Sequence, residues 1–145
     1  MPLRPDQLHG SWDLEAFVVE LPGGTQTYPM GEGALGRLMY GSDGTMSATL
    51  SRGDRPLLSV PRLEAYAKAP DGEKAAAFDA YLAYVGRYEL DGEDVVHHVE
   101  LASVPNIVGM QQRRTASLEG NQLTLAYAVE SSRGTRHYTL RWRRS

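Results

Sequence analysis

The sequence predicts a mainly β protein, an antiparallel up-and-down barrel of about eight strands with one short helix. Apolar and polar residues alternate with a period of two along most of the chain, as they do in half-buried strands. Turn-forming pairs such as Asp43-Gly44, Asp91-Gly92 and Gly120-Asn121 separate these segments. A chain of 145 residues can enclose one hydrophobic core, and we treat residues 1–145 as a single domain.

Strands are predicted wherever this alternation is bounded by turn residues. The predicted strands are Ser11–Val19, Leu35–Tyr40, Thr45–Ser51, Tyr84–Leu90, Asp94–Ser103, Val108–Leu118, Gln122–Glu130 and Thr135–Arg143. The first of them alternates around Trp12, Leu14, Ala16 and Val18. Because most strands follow one another as hairpins, a closed barrel is favoured over a flattened sandwich. Such a barrel has no open edges and can hold one small ligand.

A helix is predicted at Asp71–Ala83. Its first turn is acidic, its middle is rich in alanine, and Phe78, Tyr81 and Leu82 follow at helical spacing. The preceding segment, Arg52–Pro70, contains Pro at several positions and is predicted to be irregular and to cross or cover part of the barrel. The helix is expected to plug or flank the barrel.

Composition argues against several classes of function. The net charge is −3 and the arginines are scattered, so nucleic-acid binding is not expected, because phosphate binding needs a clustered basic surface. No apolar run approaches the roughly 18 residues of a membrane span, and the first residues lack the apolar core of a signal peptide. A cytoplasmic location is therefore expected. The chain has no Cys, which removes disulfides and thiolate chemistry, and the oligomeric state is left open.

Neither a cofactor nor a metal is expected. The glycine-rich spots Gly23-Gly24 and Gly31-Glu32-Gly33 lack the strand–loop–helix setting of a phosphate or dinucleotide site. His97 and His98 are adjacent, and neighbours on a strand point to opposite faces, so they do not easily bind one ion. The other histidines lie elsewhere in the chain, and no third ligand has the spacing of a metal site.

The stretch from Tyr84 to Arg114 says most about function, because Tyr, His, Gln and Arg interrupt its apolar face. Buried polar groups cost free energy unless they are paired, so several on one face indicate a cavity or a reaction centre. The turn at Asp91-Gly92 can be closed as a two-residue or a four-residue loop, and both registers place His97 inside. A bulge at this turn would instead bring His98 inside.

Strand parity predicts which side chains face the interior. Within the stretch above, the inward face carries Tyr84, Tyr88, His97, Val99 and Leu101. The interior of the whole barrel is predicted to be rich in aromatic residues, with one cation, one imidazole and one amide. Its members are Trp12, Leu14, Leu38, Tyr40, Met46, Ala48, Leu50, Tyr84, Tyr88, His97, Val99, Gln112, Arg114, Leu125, Tyr127, Tyr138 and Trp142.

Two short motifs resemble those of lipocalins. They are Gly10-Ser11-Trp12 near the start of the chain and Arg141-Trp142-Arg143 near its end. In lipocalins the Trp of such a Gly-x-Trp motif closes the base of the barrel, and the last strand brings an Arg near it, where a guanidinium over an indole is favourable. The resemblance therefore implies that Trp12, Trp142, Arg141 and Arg143 form the base of the barrel.

A narrower resemblance covers nearly the whole chain, which is similar to the bacterial family of lipocalin-like domains. The motifs that carry it are Leu8-His9-Gly10-Ser11-Trp12, Gly36-Arg37-Leu38-Met39-Tyr40 with Asp43-Gly44, Tyr84-Val85-Gly86-Arg87-Tyr88, Val95-Val96-His97-His98-Val99-Glu100, Pro105-Asn106-Ile107-Val108-Gly109 with Arg114, and Leu123-Thr124-Leu125. The resemblance implies a calycin-type barrel but no single reaction, since such barrels in biosynthetic pathways include carriers and cyclases. Ile107 departs from the pattern, because an aromatic residue is expected after Pro-Asn.

Arg114 is the strongest candidate for binding a ligand. Inside a barrel it would anchor a carboxylate, an enolate or a phenolate, because guanidinium forms bidentate, charge-assisted hydrogen bonds. Alternatively, Arg114 lies at the mouth of the barrel or pairs with an acid such as Glu100 or Asp13, which would relieve the cost of a buried charge.

His97 is the candidate for proton transfer, because the ordinary pKa of histidine lies near neutrality. Alternatively, it is a core histidine that is hydrogen-bonded to Tyr88 or Gln112. The chain has eight Tyr and two Phe, and a Tyr hydroxyl that faces a cavity can bind a ligand or donate a proton. The predicted catalytic residues are His97, Arg114 and Tyr88.

Three functions are compatible with these residues. The first is binding of a hydrophobic, ring-containing small molecule with an acidic or carbonyl oxygen near Arg114. The residues predicted to bind it are Tyr40, Met46, Tyr84, Tyr88, His97, Gln112, Arg114, Tyr127 and Tyr138. The second is a cofactor-free cyclase or isomerase of a biosynthetic pathway, in which His97 or a Tyr moves a proton and Arg114 stabilises an oxyanion. The third is a structural or protein-interaction module with a filled interior.

Overall fold

The computed structural model describes residues 2–145. Its elements in chain order are α1 (Pro5–Leu8), β1 (Gly10–Glu20), β2 (Gln26–Thr27), β3 (Leu35–Tyr40), β4 (Thr45–Ser51), a 3₁₀ helix (Leu63–Lys68), α2 (Asp71–Asp79), β5 (Tyr81–Asp91), β6 (Asp94–Ala102), a 3₁₀ turn (Pro105–Ile107), β7 (Gln111–Glu119), β8 (Gln122–Ser131) and β9 (Gly134–Arg144). Eight strands form a closed antiparallel barrel, because β1 pairs with both β3 and β9, and the short β2 adds to the edge of β1. The predicted up-and-down barrel is confirmed.

The predicted helix ends earlier than expected. α2 stops at Asp79, and β5 begins at Tyr81 rather than at Tyr84. Leu82 pairs with Leu50 of β4. It lies on the same face of β5 as Tyr84, so the strand begins before Tyr84. Helical and strand spacing coincide over these few apolar positions, so periodicity alone does not place the boundary. No helix among residues 2–145 has the length and apolarity needed to cross a membrane.

A β-bulge in β1 changes which of its side chains face inward. Glu15 is an extra residue in the pairing of β1 with β9. Side chains beyond a bulge change face. Phe17 and Val19 are therefore buried, where the simple alternation expected Ala16 and Val18.

A second bulge lies in β6. Glu100 is an extra residue in the pairing with β5, so Leu101, which was predicted to face inward, is exposed on the outer surface. Gly86 lies opposite this bulge, where an added Cβ would overlap the backbone oxygen of His98. The close approach of the two strands at this point therefore depends on the absence of a side chain at Gly86.

The register of the β5–β6 hairpin separates the two adjacent histidines. Tyr88 pairs with His97, which is the register predicted for the longer of the two loops. His97 is 1% exposed, whereas His98 lies on the outer face with its Nε2 2.8 Å from a carboxylate oxygen of Glu89. No group of three His, Asp or Glu side chains among residues 2–145 is placed to hold a metal ion.

The predicted interior agrees with the structure. All of its members are buried or half-buried, including the polar Gln112 and Arg114. Apart from the residues beyond the bulges in β1 and β6, the inward face is the predicted one, because a register error of one residue would expose a whole apolar face.

One end of the barrel, which we call the base, is closed by α1 and Trp12. The indole Nε1 of Trp12 donates a hydrogen bond to the backbone oxygen of Leu8 over 3.0 Å. The guanidinium of Arg144 lies over the Trp12 ring, 4.1 Å from its centroid. The same guanidinium donates to the backbone oxygens of His9 at 2.8 Å and Gln7 at 2.7 Å. Arg144 therefore ties the last strand to the segment that leads into β1.

Arg141 and Arg143, which the resemblance placed at the base, are instead exposed on the outer face of β9. Arg143 pairs with Glu15 over 3.3 Å. Both alternate with the buried Trp142, so the alternation of a strand directs them outward. Arg144 is the arginine that covers Trp12.

Replacing Arg144 by methionine is expected to lower the free energy of unfolding by about 1–2 kcal/mol, because it removes the cation–π contact and two hydrogen bonds to backbone oxygens. Urea denaturation measures the change. Arg141→Met is the matched control on the same strand and is expected to shift stability by less than about 0.5 kcal/mol. Equal losses in the two variants would contradict the role given to Arg144.

Candidate functional site

An interior cavity of about 70 Å³ lies above the base, surrounded by strands of the barrel. Its wall is mostly apolar. The lining residues are Phe17, Leu38, Ala48, Leu50, Leu82, Tyr84, His97, Arg114, Leu125, Tyr127, Leu140 and Trp142. Of the residues predicted to bind a ligand, the structure brings Tyr84, His97, Arg114 and Tyr127 together around this cavity. None of the lining residues comes from the segment between β4 and β5 that was expected to cross or cover the barrel.

Leu140 alternates with the outward-facing residues of β9 and shares the predicted inward face of Tyr138 and Trp142, but sequence reasoning missed two other apolar residues of this wall. Phe17 was placed on the outer face because both faces of β1 are apolar beyond Glu15, so no pattern reveals the bulge. Leu82 was placed in the helix. The run Leu82, Tyr84, Gly86 has the period of a strand, and this signal could have identified Leu82 as an inward residue.

His97 is held between two tyrosines. Its Nε2 lies 2.7 Å from the hydroxyl of Tyr40, and its Nδ1 lies 2.7 Å from the hydroxyl of Tyr84. Burial, aided by the nearby positive charge of Arg114, lowers the pKa of His97 to about 3. The imidazole is therefore neutral near pH 7, and both of its nitrogens are engaged.

The two tyrosines remain protonated. Burial raises the pKa of Tyr40 well above its usual value and raises the pKa of Tyr84 to about 12. Tyr40 is 2% exposed and does not border the cavity, whereas Tyr84 does. The hydrogen-bonded row Tyr40–His97–Tyr84 therefore runs from the packed core to the cavity wall.

Several predicted site residues lie away from the cavity. The hydroxyl of Tyr88 donates to the backbone oxygen of Gly41 over 2.8 Å, which ties β5 to the β3–β4 turn. Tyr40 is separated from the cavity by His97, to which it is hydrogen-bonded, and Met46 is buried near the base. None of Tyr40, Met46 and Tyr88 lines the cavity.

Arg114 forms a stacked group with two tyrosines. Its guanidinium carbon lies 3.7 Å from the ring centroid of Tyr127, and Tyr127 stacks on Tyr138 with centroids 4.6 Å apart and an angle of 7°. We call Arg114, Tyr127 and Tyr138 the mouth stack, since it lies toward the end of the barrel opposite the base. Nη2 of Arg114 donates to Oε1 of Gln112 at 2.9 Å, and Nη1 donates to the backbone oxygen of Arg113 at 3.0 Å.

No carboxylate among residues 2–145 forms an ion pair with Arg114. The two acids considered as partners are engaged elsewhere, since Asp13 pairs with Arg37 at 2.9 Å and Glu100 lies 3.8 Å from Arg87. The half-buried guanidinium is therefore compensated only by neutral oxygens and an aromatic face, which leaves it able to bind an anionic or carbonyl oxygen.

Trp142, which the resemblance placed at the base, contributes a further polar group to this site. Its Nε1 is the single buried side-chain nitrogen or oxygen without a hydrogen-bond partner among residues 2–145. Leaving a buried donor unpaired costs about 1–3 kcal/mol. Trp142 also lines the cavity, so a group within the cavity could accept this hydrogen bond.

Comparisons with known proteins bear on this site. A family model described as a lipocalin-like domain matches residues 9–145. Over 64 residues the chain is 38% identical to a protein of Aspergillus oryzae (strain ATCC 42149 / RIB 40) named 4'-hydroxy-3'-methoxypropiophenone carrier protein ppsC. That match covers 39% of this chain and 58% of the relative, so the chain spans less than two thirds of the relative's length. No solved structure matches the chain.

Proposed function

Since the chain belongs to the family of lipocalin-like domains, we propose that it binds a hydrophobic, ring-containing small molecule with an acidic or carbonyl oxygen inside its barrel. The observation that carries this proposal is Arg114, a cation without a counter-charge among the described residues, in the wall of an apolar cavity. Ligand sites are usually lined by apolar side chains with a few placed polar groups. An oxygen of the ligand supplies the charge complement that the protein does not provide.

Entry of such a ligand requires the mouth stack to move. The cavity of about 70 Å³ is smaller than the roughly 300–1,000 Å³ typical of ligand pockets. Arg114 and Tyr127 line it and are only half-buried, so their contact is less constrained than a contact in the packed core. In the proposal, the guanidinium leaves the Tyr127 ring, the ligand ring takes its place against Tyr127, and Arg114 then contacts the oxygen of the ligand.

Carriage is better supported than proton-transfer chemistry. His97 would be the base of a cyclase or isomerase, but both of its nitrogens are hydrogen-bonded to tyrosines. A perturbed pKa can mark a catalytic group. Here burial lowers the pKa of His97 to about 3, which makes it a poor base near pH 7, because an effective general base has a pKa near the working pH. The relative is named as a carrier protein, which agrees with this choice.

The first probe for binding is 4'-hydroxy-3'-methoxypropiophenone, because the relative is named for it. We expect saturable binding with one site per chain, measured by calorimetry. Failure of this and related oxygenated aromatic compounds to bind would favour the alternative of an interaction module with a filled interior.

Filling the cavity is expected to weaken binding at least about tenfold. Ala48→Leu adds a branched side chain to the cavity wall and occupies volume that the ligand needs. Ala128→Leu makes the same change at an exposed position of β8 and is expected to leave affinity unchanged. Calorimetric titration of both variants checks the prediction. Equal affinity in Ala48→Leu and the control would place the ligand outside the barrel.

A further inference from the structure

The direction of the hydrogen bonds in the row Tyr40–His97–Tyr84 follows from counting protons. A neutral imidazole has one N–H and one bare nitrogen, so one tyrosine donates to His97 and the other accepts from it. Tyr40 has His97 as its hydrogen-bond partner and is enclosed by the core. If Tyr40 accepted, its own O–H would be buried without a partner, at a cost of about 1–3 kcal/mol.

The less costly arrangement has Tyr40 donating to Nε2 and the Nδ1–H of His97 donating to Tyr84. The oxygen of Tyr84 is then an acceptor in the row, and its own proton is free. Because Tyr84 borders the cavity, this proton can be donated to a molecule held there. His97 acts in this arrangement as a positioning residue, since it orients the hydroxyl of Tyr84 without touching the ligand.

Trp142 provides a second donor on the opposite wall. Its Nε1–H is buried and unpartnered, and Trp142 lines the same cavity. Tyr84 lies on β5 and Trp142 on β9, and these strands are four apart in either direction around the eight-stranded ring. The two donors therefore approach the cavity from opposite sides, and Arg114 on β7 lies between them.

We propose that the barrel selects ring compounds with two hydrogen-bond-accepting oxygens at opposite ends of the molecule, one bound by the hydroxyl of Tyr84 and the other by the indole N–H of Trp142. The oxygen that contacts Arg114 in the proposed function is one of these two, because an oxygen with two lone pairs accepts hydrogen bonds from two donors. This inference rests on the proposed binding function and specifies its ligand class. An ether or carbonyl oxygen fits either position. An ammonium group fits neither, because it has no lone pair to offer and is repelled by Arg114.

A matched set of compounds tests the requirement for two oxygens. 4'-Methoxypropiophenone has an ether and a ketone at opposite ends, 4'-ethylpropiophenone keeps only the ketone, and 4-propylanisole keeps only the ether. We expect each single-oxygen compound to bind about tenfold more weakly than the first, because each leaves a buried donor unpaired. Binding of all three with equal affinity would overturn the inference while the proposed binding function stands.

Two conservative variants assign the oxygens to the donors. Tyr84→Phe is expected to abolish the preference for one of the two oxygens, and Trp142→Phe the preference for the other. Loss of the same preference in both variants, or of neither, would contradict the inference. If none of the compounds binds the wild-type protein, the proposed function itself fails and the inference fails with it.

Nuclear magnetic resonance of the wild-type protein gives a readout that does not depend on how the variants fold. The indole N–H signal of Trp142 is expected to move on binding 4'-methoxypropiophenone and to move differently with one of the single-oxygen compounds. The indole of Trp12, whose N–H is already bonded to Leu8, is the internal control. Long-range ¹⁵N–¹H correlation is expected to show His97 protonated at Nδ1. Protonation at Nε2 instead would overturn the assignment of Tyr84 as a donor.

Discussion

Acidification from about pH 6.5 to about pH 5 is expected to lower the free energy of unfolding by about 2 kcal/mol through His97 alone. In the unfolded chain His97 takes up a proton below about pH 6.5. In the folded protein burial lowers its pKa to about 3, so it stays neutral through this window. The unfolded state thus binds more protons, and stability falls by about 1.4 kcal/mol for each pH unit until the pH approaches 3.

The difference between wild type and His97→Leu isolates this effect, because the other titrating groups are common to both. At pH 7 the variant is expected to be less stable by about 2–3 kcal/mol, since the hydroxyls of Tyr40 and Tyr84 lose their partner. Between pH 6.5 and pH 5 the gap should narrow by about 2 kcal/mol. Urea denaturation over this range measures it.

The control for this experiment is His137→Gln, which removes an exposed histidine of β9. At pH 7 its free energy of unfolding is expected to lie within about 0.5 kcal/mol of the wild-type value, because the replaced side chain is exposed. If the curves for His97→Leu and wild type ran parallel, the folded protein would take up the proton as readily as the unfolded chain, and the neutral, doubly bonded imidazole would be wrong.

Replacing Arg114 by methionine is expected to weaken binding of an oxygenated aromatic ligand by about 30-fold to 100-fold. Methionine preserves the unbranched apolar stem but removes the cation, and hydrogen bonds to charged groups contribute about 1.5–3 kcal/mol. Arg114→Lys should recover part of the affinity, because it restores the charge without the planar fork that stacks on Tyr127. Calorimetry with 4'-hydroxy-3'-methoxypropiophenone gives the affinities.

Arg113→Met is the matched control, since Arg113 is adjacent on β7 but faces outward and pairs with Asp91 and Asp94. It is expected to leave the affinity unchanged. A thermal melt of each variant separates loss of binding from loss of fold. If Arg114→Met and Arg113→Met bound the ligand equally well, the site of the acidic or carbonyl oxygen would have to lie elsewhere.

The sequence predicted the barrel and its interior because each tight turn sets a register and each buried face resists a one-residue shift. The sequence did not predict the bulges at Glu15 and Glu100, because a bulge is defined by the pairing with the partner strand and not by the residues of one strand alone. Near Phe17 both faces of β1 are apolar, so no alternation of apolar and polar residues marks the position where the inward face changes. Leu101 was wrongly predicted to face inward because Val99, two residues earlier and before the bulge, has the expected inward position. Continuing the alternation from Val99 places Leu101 on the same face.

The site was predicted less completely than the fold, because strand parity gives the face of a residue and not its partner. The alternative in which His97 is a core histidine gave it Tyr88 or Gln112 as partner, but it bonds Tyr40 and Tyr84. These choices depend on side-chain angles across β3, β5 and β6, which no local pattern reports.

At the base, strand parity and the short lipocalin motif indicate different arginines. The alternation that puts Trp142 inside already directs Arg141 and Arg143 outward. Arg144 shares the face of Trp142 and covers Trp12. The short lipocalin motif predicts Arg141 and Arg143, the neighbours of Trp142, at the base, but the arginine found there is two residues beyond Trp142.

The seam between β1 and β9 has a consequence for synthesis of the protein. It joins strands that are distant along the chain, since Glu15 and Arg143 are 128 residues apart. Until β9 has left the ribosome, one edge of β1 and one edge of β8 have no partner, and unpaired strand edges recruit other chains. Ribosomes that stall between β8 and β9 should therefore release aggregation-prone chains, and chaperones that bind nascent chains should matter most in that interval.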